Sequence, residues 1–138
     1  MERYPIQCGV PAAYLERYVL VVEYDLTLRE MYRSGLRAAG YAVVAVADGL
    51  DALRRVEREA PDAVVLDLAL PRLGGRDVQK ELKSAPDTRN IPIVVVSGTD
   101  TSDLDPDDFA CVLNKPIDVD TLIVAVQNCL RRPRAYPT

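Results

Sequence analysis

No histidine occurs among the 138 residues of this chain. That absence excludes imidazole metal sites, Ser-His and Cys-His catalytic pairs, and a phosphohistidine carrier role. Cysteine is scarce as well. Cys8, Cys111 and Cys129 are odd in number, widely spaced and without a C-x-x-C, which indicates neither a zinc ribbon nor a disulfide framework and makes reduced thiols the default. No apolar run approaches the roughly 20 residues that cross a bilayer. The N-terminus, with Glu2, Arg3, Pro5 and Gln7, lacks the apolar core of a signal peptide, so a cytoplasmic protein without membrane contact is expected. Basic charge is not in excess either: 17 Lys and Arg stand against 21 Asp and Glu, a net charge of -4 that makes nucleic acid a poor partner.

What is present is a chain with 49% hydrophobic and 28% charged residues, the composition of one soluble globular domain. Strand-length apolar runs recur at 18–22, 41–47, 63–66, 91–96 and 110–113, several nearly continuous and rich in valine. Continuous runs, as opposed to alternating ones, belong to strands covered on both faces, as in a parallel sheet. Helical patterns lie between them. Leu28, Met31, Tyr32, Gly35, Leu36 and Ala39 form an inward stripe, with Thr27 and Glu30 as a capping box and Gly40 as the stop. Asp48 is placed to cap a second helix burying Ala52, Leu53 and Val56. A third runs from about 75 to 85 with Val78 and Leu82 inward. Asp118 caps the last, with Val119, Leu122, Ile123, Val126 and Leu130 as its apolar stripe. Between 100 and 108 the chain is too short and acidic for more than about two turns of helix, and Asp105-Pro106 starts a stub there.

This alternation predicts a doubly wound α/β fold, a (βα)5 sandwich around a five-stranded parallel sheet with a short fourth helix, spanning residues 18–131. Residues 1–17 then form an N-terminal extension and 132–138 a C-terminal tail. In such folds ligand chemistry gathers at the carboxyl ends of the strands. Those ends carry Glu23, Tyr24 and Asp25 after the first strand, Asp67 after the third, Ser97 after the fourth and Lys115 after the fifth. Each alone has a structural explanation. Together an acid, a hydroxyl and a lysine around one point are what phosphoryl transfer to a carboxylate requires.

The strings VLVVEYD, DAVVLDLALPRLGG, IPIVVVSG and NKP, in this order and spacing, resemble the CheY-like receiver domain of bacterial two-component response regulators. The resemblance implies that Asp67 is the phosphoacceptor, Ser97 the switch hydroxyl and Lys115 the phosphoryl-binding lysine. It implies a cis bond between Lys115 and Pro116, and a Mg²⁺ ion reached by Glu23, Asp67 and the backbone carbonyl of Ala69. It further implies a sensor histidine kinase or phosphotransfer protein as donor, a downstream protein partner, and a homodimer as one available assembly. The module would signal through protein contacts and would not be an enzyme.

Two positions depart from the family pattern. Where the family has a second adjacent acid, this chain has Tyr24, and a neutral phenol is a poor ligand for a hard dication. Glu23, one methylene longer than Asp, and Asp25, one position further on, are the candidates to replace it. The aromatic often found three residues before the lysine is here Val112. Tyr24 thus keeps open a second reading, a degenerate receiver that binds a partner without phosphorylation. A haloacid-dehalogenase-type phosphatase would need an acid where Ala69 stands, and no phosphate-binding glycine loop for nucleotides or flavin is present. The Asp103, Asp105, Asp107 alternation fails as a calcium loop because Pro106 interrupts it and Asn114 stands where a glutamate is needed.

Overall fold

The computed structural model describes residues 17–131; the expected extension and tail lie, apart from Arg17, outside the described residues. Five strands, β1 (Tyr18–Val22), β2 (Ala42–Val46), β3 (Ala63–Leu66), β4 (Ile93–Ser97) and β5 (Cys111–Asn114), form one parallel sheet in the order β2-β1-β3-β4-β5. The helices α1 (Leu26–Ala38), α2 (Gly49–Arg58), α3 (Gly75–Ser84) and α4 (Val119–Leu130) cover both sides. This is the predicted doubly wound sandwich, with β1 and β3 at the predicted bounds.

Alternation along each strand divides the core into two. Tyr18, Leu20 and Val22 pack with Ala52 and Val56 of α2 and Val78 and Leu82 of α3, whereas Val19 and Val21 face Tyr32 and Leu36 of α1 and Leu122, Val126 and Leu130 of α4. The strands β1, β3 and β4 are buried on both faces, which explains their unbroken valine-rich runs.

Asp48 and Asp118 cap α2 and α4 as predicted, each accepting from a backbone N–H three residues on. At α1 the prediction fails. The cap is Asp25, whose Oδ1 accepts from the Leu28 N–H at 2.9 Å, and Glu30 pairs with Arg33 at 2.6 Å instead of reaching back to Thr27. The Thr-x-x-Glu pattern is locally valid, but an aspartate two residues earlier offers the same bond and lets the helix start sooner. Asp25→Ala is expected to lower stability by about 1 kcal/mol and Asp25→Asn by much less, which urea denaturation of the two variants checks. Gly40, at φ 105°, takes the left-handed turn that releases the chain from α1 into β2.

The fourth helix is the short stub predicted: between β4 and β5 the described chain has a single 3-10 turn, Pro106–Asp108, capped by Asp105. Residues 99–110 hold five aspartates and no apolar stripe, so no helix face could be buried, and only Leu104 and Phe109 reach the core. The segment is held from outside instead. Arg76 at the start of α3 grips Asp103 with two bonds, at 3.1 and 2.7 Å, and donates to the Asp100 carbonyl at 3.3 Å.

Candidate functional site

The carboxyl ends of β1, β3, β4 and β5 deliver Glu23, Asp67, Ser97 and Lys115 to one rim, as the sequence predicts. Glu23, Asp67 and Ser97 are almost wholly buried, at 2%, 4% and 1% exposure. The Lys115 Nζ enters from the side, 2.8 Å from Glu23 Oε1 and 3.6 Å from Asp67 Oδ2. The lysine therefore leans on the first-strand acid more closely than on Asp67. Its backbone is fixed by a 2.7 Å bond from its N–H to the Ser97 carbonyl, and the following Lys115-Pro116 bond is cis.

Asp67 is held asymmetrically. Its Oδ1 accepts from the Ala69 N–H at 3.0 Å, which leaves Oδ2 facing the lysine. Just behind it, α3 begins against the backbone of the acid: an added Cβ on Gly75 would stand 2.6 Å from the Leu68 Cα. Only glycine admits that approach.

Glu23 Oε2 accepts from the Asp25 N–H at 3.1 Å, while Oε1, buried, has the lysine as an ionic neighbour but no well-directed hydrogen bond. Burial raises the Glu23 carboxyl above the ordinary range; the nearby Asp67 adds to the rise, and Lys115 and the Asp25 N–H oppose it. The same acids act on Tyr32, at 1% exposure on the inner face of α1. Burial first, then the charges of Glu23, Asp67 and Asp25, push its phenol up to about 12. Tyr32, Leu28, Lys115, Pro116 and Ile117 line an open cleft of about 340 Å³ beside the acids.

Of the proposed metal-ligating residues, Glu23 and Asp67 come together with the Ala69 backbone beside them, and Asp25 does not join them as a side chain because it caps α1. Tyr24 is 62% exposed. Among the described residues no three acidic, cysteine or histidine side chains cluster as a metal site. An all-oxygen donor set of two carboxylates and a carbonyl, with Glu23 Oε1 unsatisfied, nonetheless suits a hard dication.

Sequence reasoning missed three supporting residues. Thr99 binds the Ser97 hydroxyl: Ser97 Oγ and Thr99 Oγ1 are 2.8 Å apart, and the Thr99 N–H donates to Ser97 Oγ at 3.0 Å. The Ser-x-Thr spacing, a local hydroxyl turn, was the available signal. Arg29 donates to the carbonyls of Glu23 and Tyr24 at 3.0 and 3.1 Å, fixing the loop that carries both. Arg76 had no signal, because its partner lies 27 positions away.

Residues 19–127 match the family model of the response regulator receiver domain. The chain belongs to that family. The receiver is 36% identical over 123 residues to Response regulator MprA of Mycobacterium leprae, covering 84% of this chain and 52% of that protein. It thus spans about half the length of the curated relatives it matches. Among solved structures the receiver is similar to the chemotaxis response regulator CheY4 of Vibrio cholerae (26% identity, TM-score 0.75, covering 83% of this chain and 99% of that one). It is similar also to the receiver domain of sensor histidine kinase PA1611 from Pseudomonas aeruginosa (27%, TM-score 0.73, 86% and 100% covered), whose active-site cleft coordinates magnesium. Receiver domains are signalling modules. No helix among the described residues is long and apolar enough to cross a membrane.

Proposed function

We propose that this receiver accepts a phosphoryl group on Asp67 from a histidine kinase or phosphotransfer protein and passes the signal on through protein contacts. The observation that carries the reading is the asymmetry at Asp67. One oxygen is engaged by the Ala69 N–H, and the other faces a lysine 3.6 Å away inside a desolvated rim. Asp67 Oδ2 attacks phosphorus as the bond to the donor breaks, and Lys115 turns from Glu23 toward the incoming phosphoryl oxygens. Ser97, released from Thr99, supplies a hydroxyl to the same oxygens. Mg²⁺, when bound by Glu23, Asp67 and the Ala69 carbonyl, would offset repulsion between carboxylate and phosphoryl. Arg29, by anchoring the Glu23 and Tyr24 carbonyls, keeps Glu23 aimed at the rim.

A second reading rests on Tyr24 and Asp25. With the phenol turned to solvent and Asp25 occupied as a cap, a receiver that binds its partner unphosphorylated is the alternative. Intact mass after incubation with Mg²⁺ and acetyl phosphate separates the two. A gain of one phosphoryl group, lost in Asp67→Asn, is the expected result; no adduct on the folded parent at millimolar Mg²⁺ would establish the alternative.

A further inference from the structure

Two of the three cysteines lie far from the strand-end rim, and neither has a part in the chemistry above. Cys111 opens β5, an edge strand, and faces the same side as Leu113. Cys129 lies in the last turn of α4, one turn beyond Ala125. Both are free and half-buried, and both pack against the same core cluster between β5 and α4. They also line one open cavity of about 450 Å³, whose remaining walls are Pro92, Ala110, Ala125 and Asn128. Two of those walls are alanines, whose small side chains leave the cavity room for either thiol to turn. Among the described residues no strand pairs with the outer edge of β5, and the cavity is open to solvent.

We infer that Cys111 and Cys129 are an oxidisable dithiol, converted by a hydroperoxide into an intramolecular disulfide that ties the edge strand to α4. The Cys129 thiol donates to the Val126 carbonyl at 3.3 Å. Burial pushes its pKa up and the neighbouring Cys111 adds to the rise, so Cys129 holds its proton and the first attack falls to Cys111. The Cys111 sulfur takes the distal peroxide oxygen; the O–O bond breaks, and the alcohol or water leaves with a proton, giving a sulfenic acid. The Cys129 sulfur then displaces that oxygen as water, which carries away its proton, and the S–S bond forms. Two electrons pass from the two sulfurs to one peroxide, and nothing else is consumed.

This inference is independent of phosphorylation at Asp67. Its test uses the folded full chain, treated with hydrogen peroxide, alkylated with N-ethylmaleimide and mapped by peptide mass. The expected result is loss of two of the three alkylatable thiols, a Cys111 peptide joined to the Cys129 peptide, and full recovery of both with dithiothreitol. Cys8→Ser should leave the linkage unchanged, and Cys111→Ala should leave Cys129 alkylatable. The inference is overturned if all three thiols stay free, if the link runs through Cys8, or if each sulfur overoxidises singly without a crosslink. Because the parent chain alone gives the decisive map, a variant that fails to fold does not blunt the test.

Discussion

Gly75→Ala should lower the unfolding free energy by about 3 kcal/mol, an overpacking cost at the upper end of its range because backbone, not a flexible side chain, stands in the way. The new methyl would lie 2.6 Å from the Leu68 Cα and press on the Asp67 carbonyl and its carbon. Relief requires α3 to lift off the chain that carries Asp67, and that shift has two further consequences. The Gly75 N–H bond to the Leu68 carbonyl, 3.0 Å long, is stretched. Arg76, one residue on, draws its grip on Asp103 out of line. Urea denaturation should show the midpoint shift, and phosphoryl uptake from acetyl phosphate should slow in the same variant. A midpoint equal to that of the parent would mean that the contact is absent in solution.

Lys115→Met should destabilise the chain by about 3 kcal/mol at pH 8, the cost of stranding buried carboxylates without their cation, and by progressively less toward pH 5. Glu23 already has a raised pKa, caused by burial and only opposed by Lys115. Removing the lysine leaves burial and Asp67 in control and raises it further. A carboxyl whose folded pKa exceeds its unfolded value of 4.5 binds more protons in the native state. Its contribution is complete below 4.5 and is lost as pH rises through the folded value. In the variant that window extends higher, so the gap from the parent widens with pH. Denaturation midpoints of both proteins from pH 5 to pH 8 measure it. A gap constant across that range would show that the lysine does not govern the charge of Glu23.

The parts of this structure that were legible in the sequence are those decided over short distances. Valine runs place β1 and β3 to the residue because both faces of those strands are covered. Asp48 and Asp118 read correctly because a cap bonds only three residues ahead. Thr27 misled for the same reason, since local pattern alone cannot rank two competing caps. The convergence of Asp67, Ser97 and Lys115 followed from topology, which sends every strand end of a parallel sheet to one rim. Topology does not choose rotamers, however. The preference of Lys115 for Glu23 over Asp67, and the turning of Ser97 toward Thr99, are decided by side-chain packing and hydrogen bonding at the rim. The grip of Arg76 on the aspartate-rich segment is a tertiary contact with no periodicity behind it.

That grip gives the molecule two regimes of order. The sheet is held by apolar burial, which dissolved salt at physiological levels hardly alters. The bridge between Arg76 and Asp103 stands in solvent, with side chains 40% and 61% exposed, where counterions screen charges beyond about 10 Å at 0.1 M ionic strength and closer as salt rises. Crowded into the same segment are four further aspartates whose mutual repulsion is relieved by the same ions. Ionic strength therefore acts on the stretch between β4 and β5 in two opposed ways, loosening its tether while easing its self-repulsion, and hardly touches the apolar core beneath it.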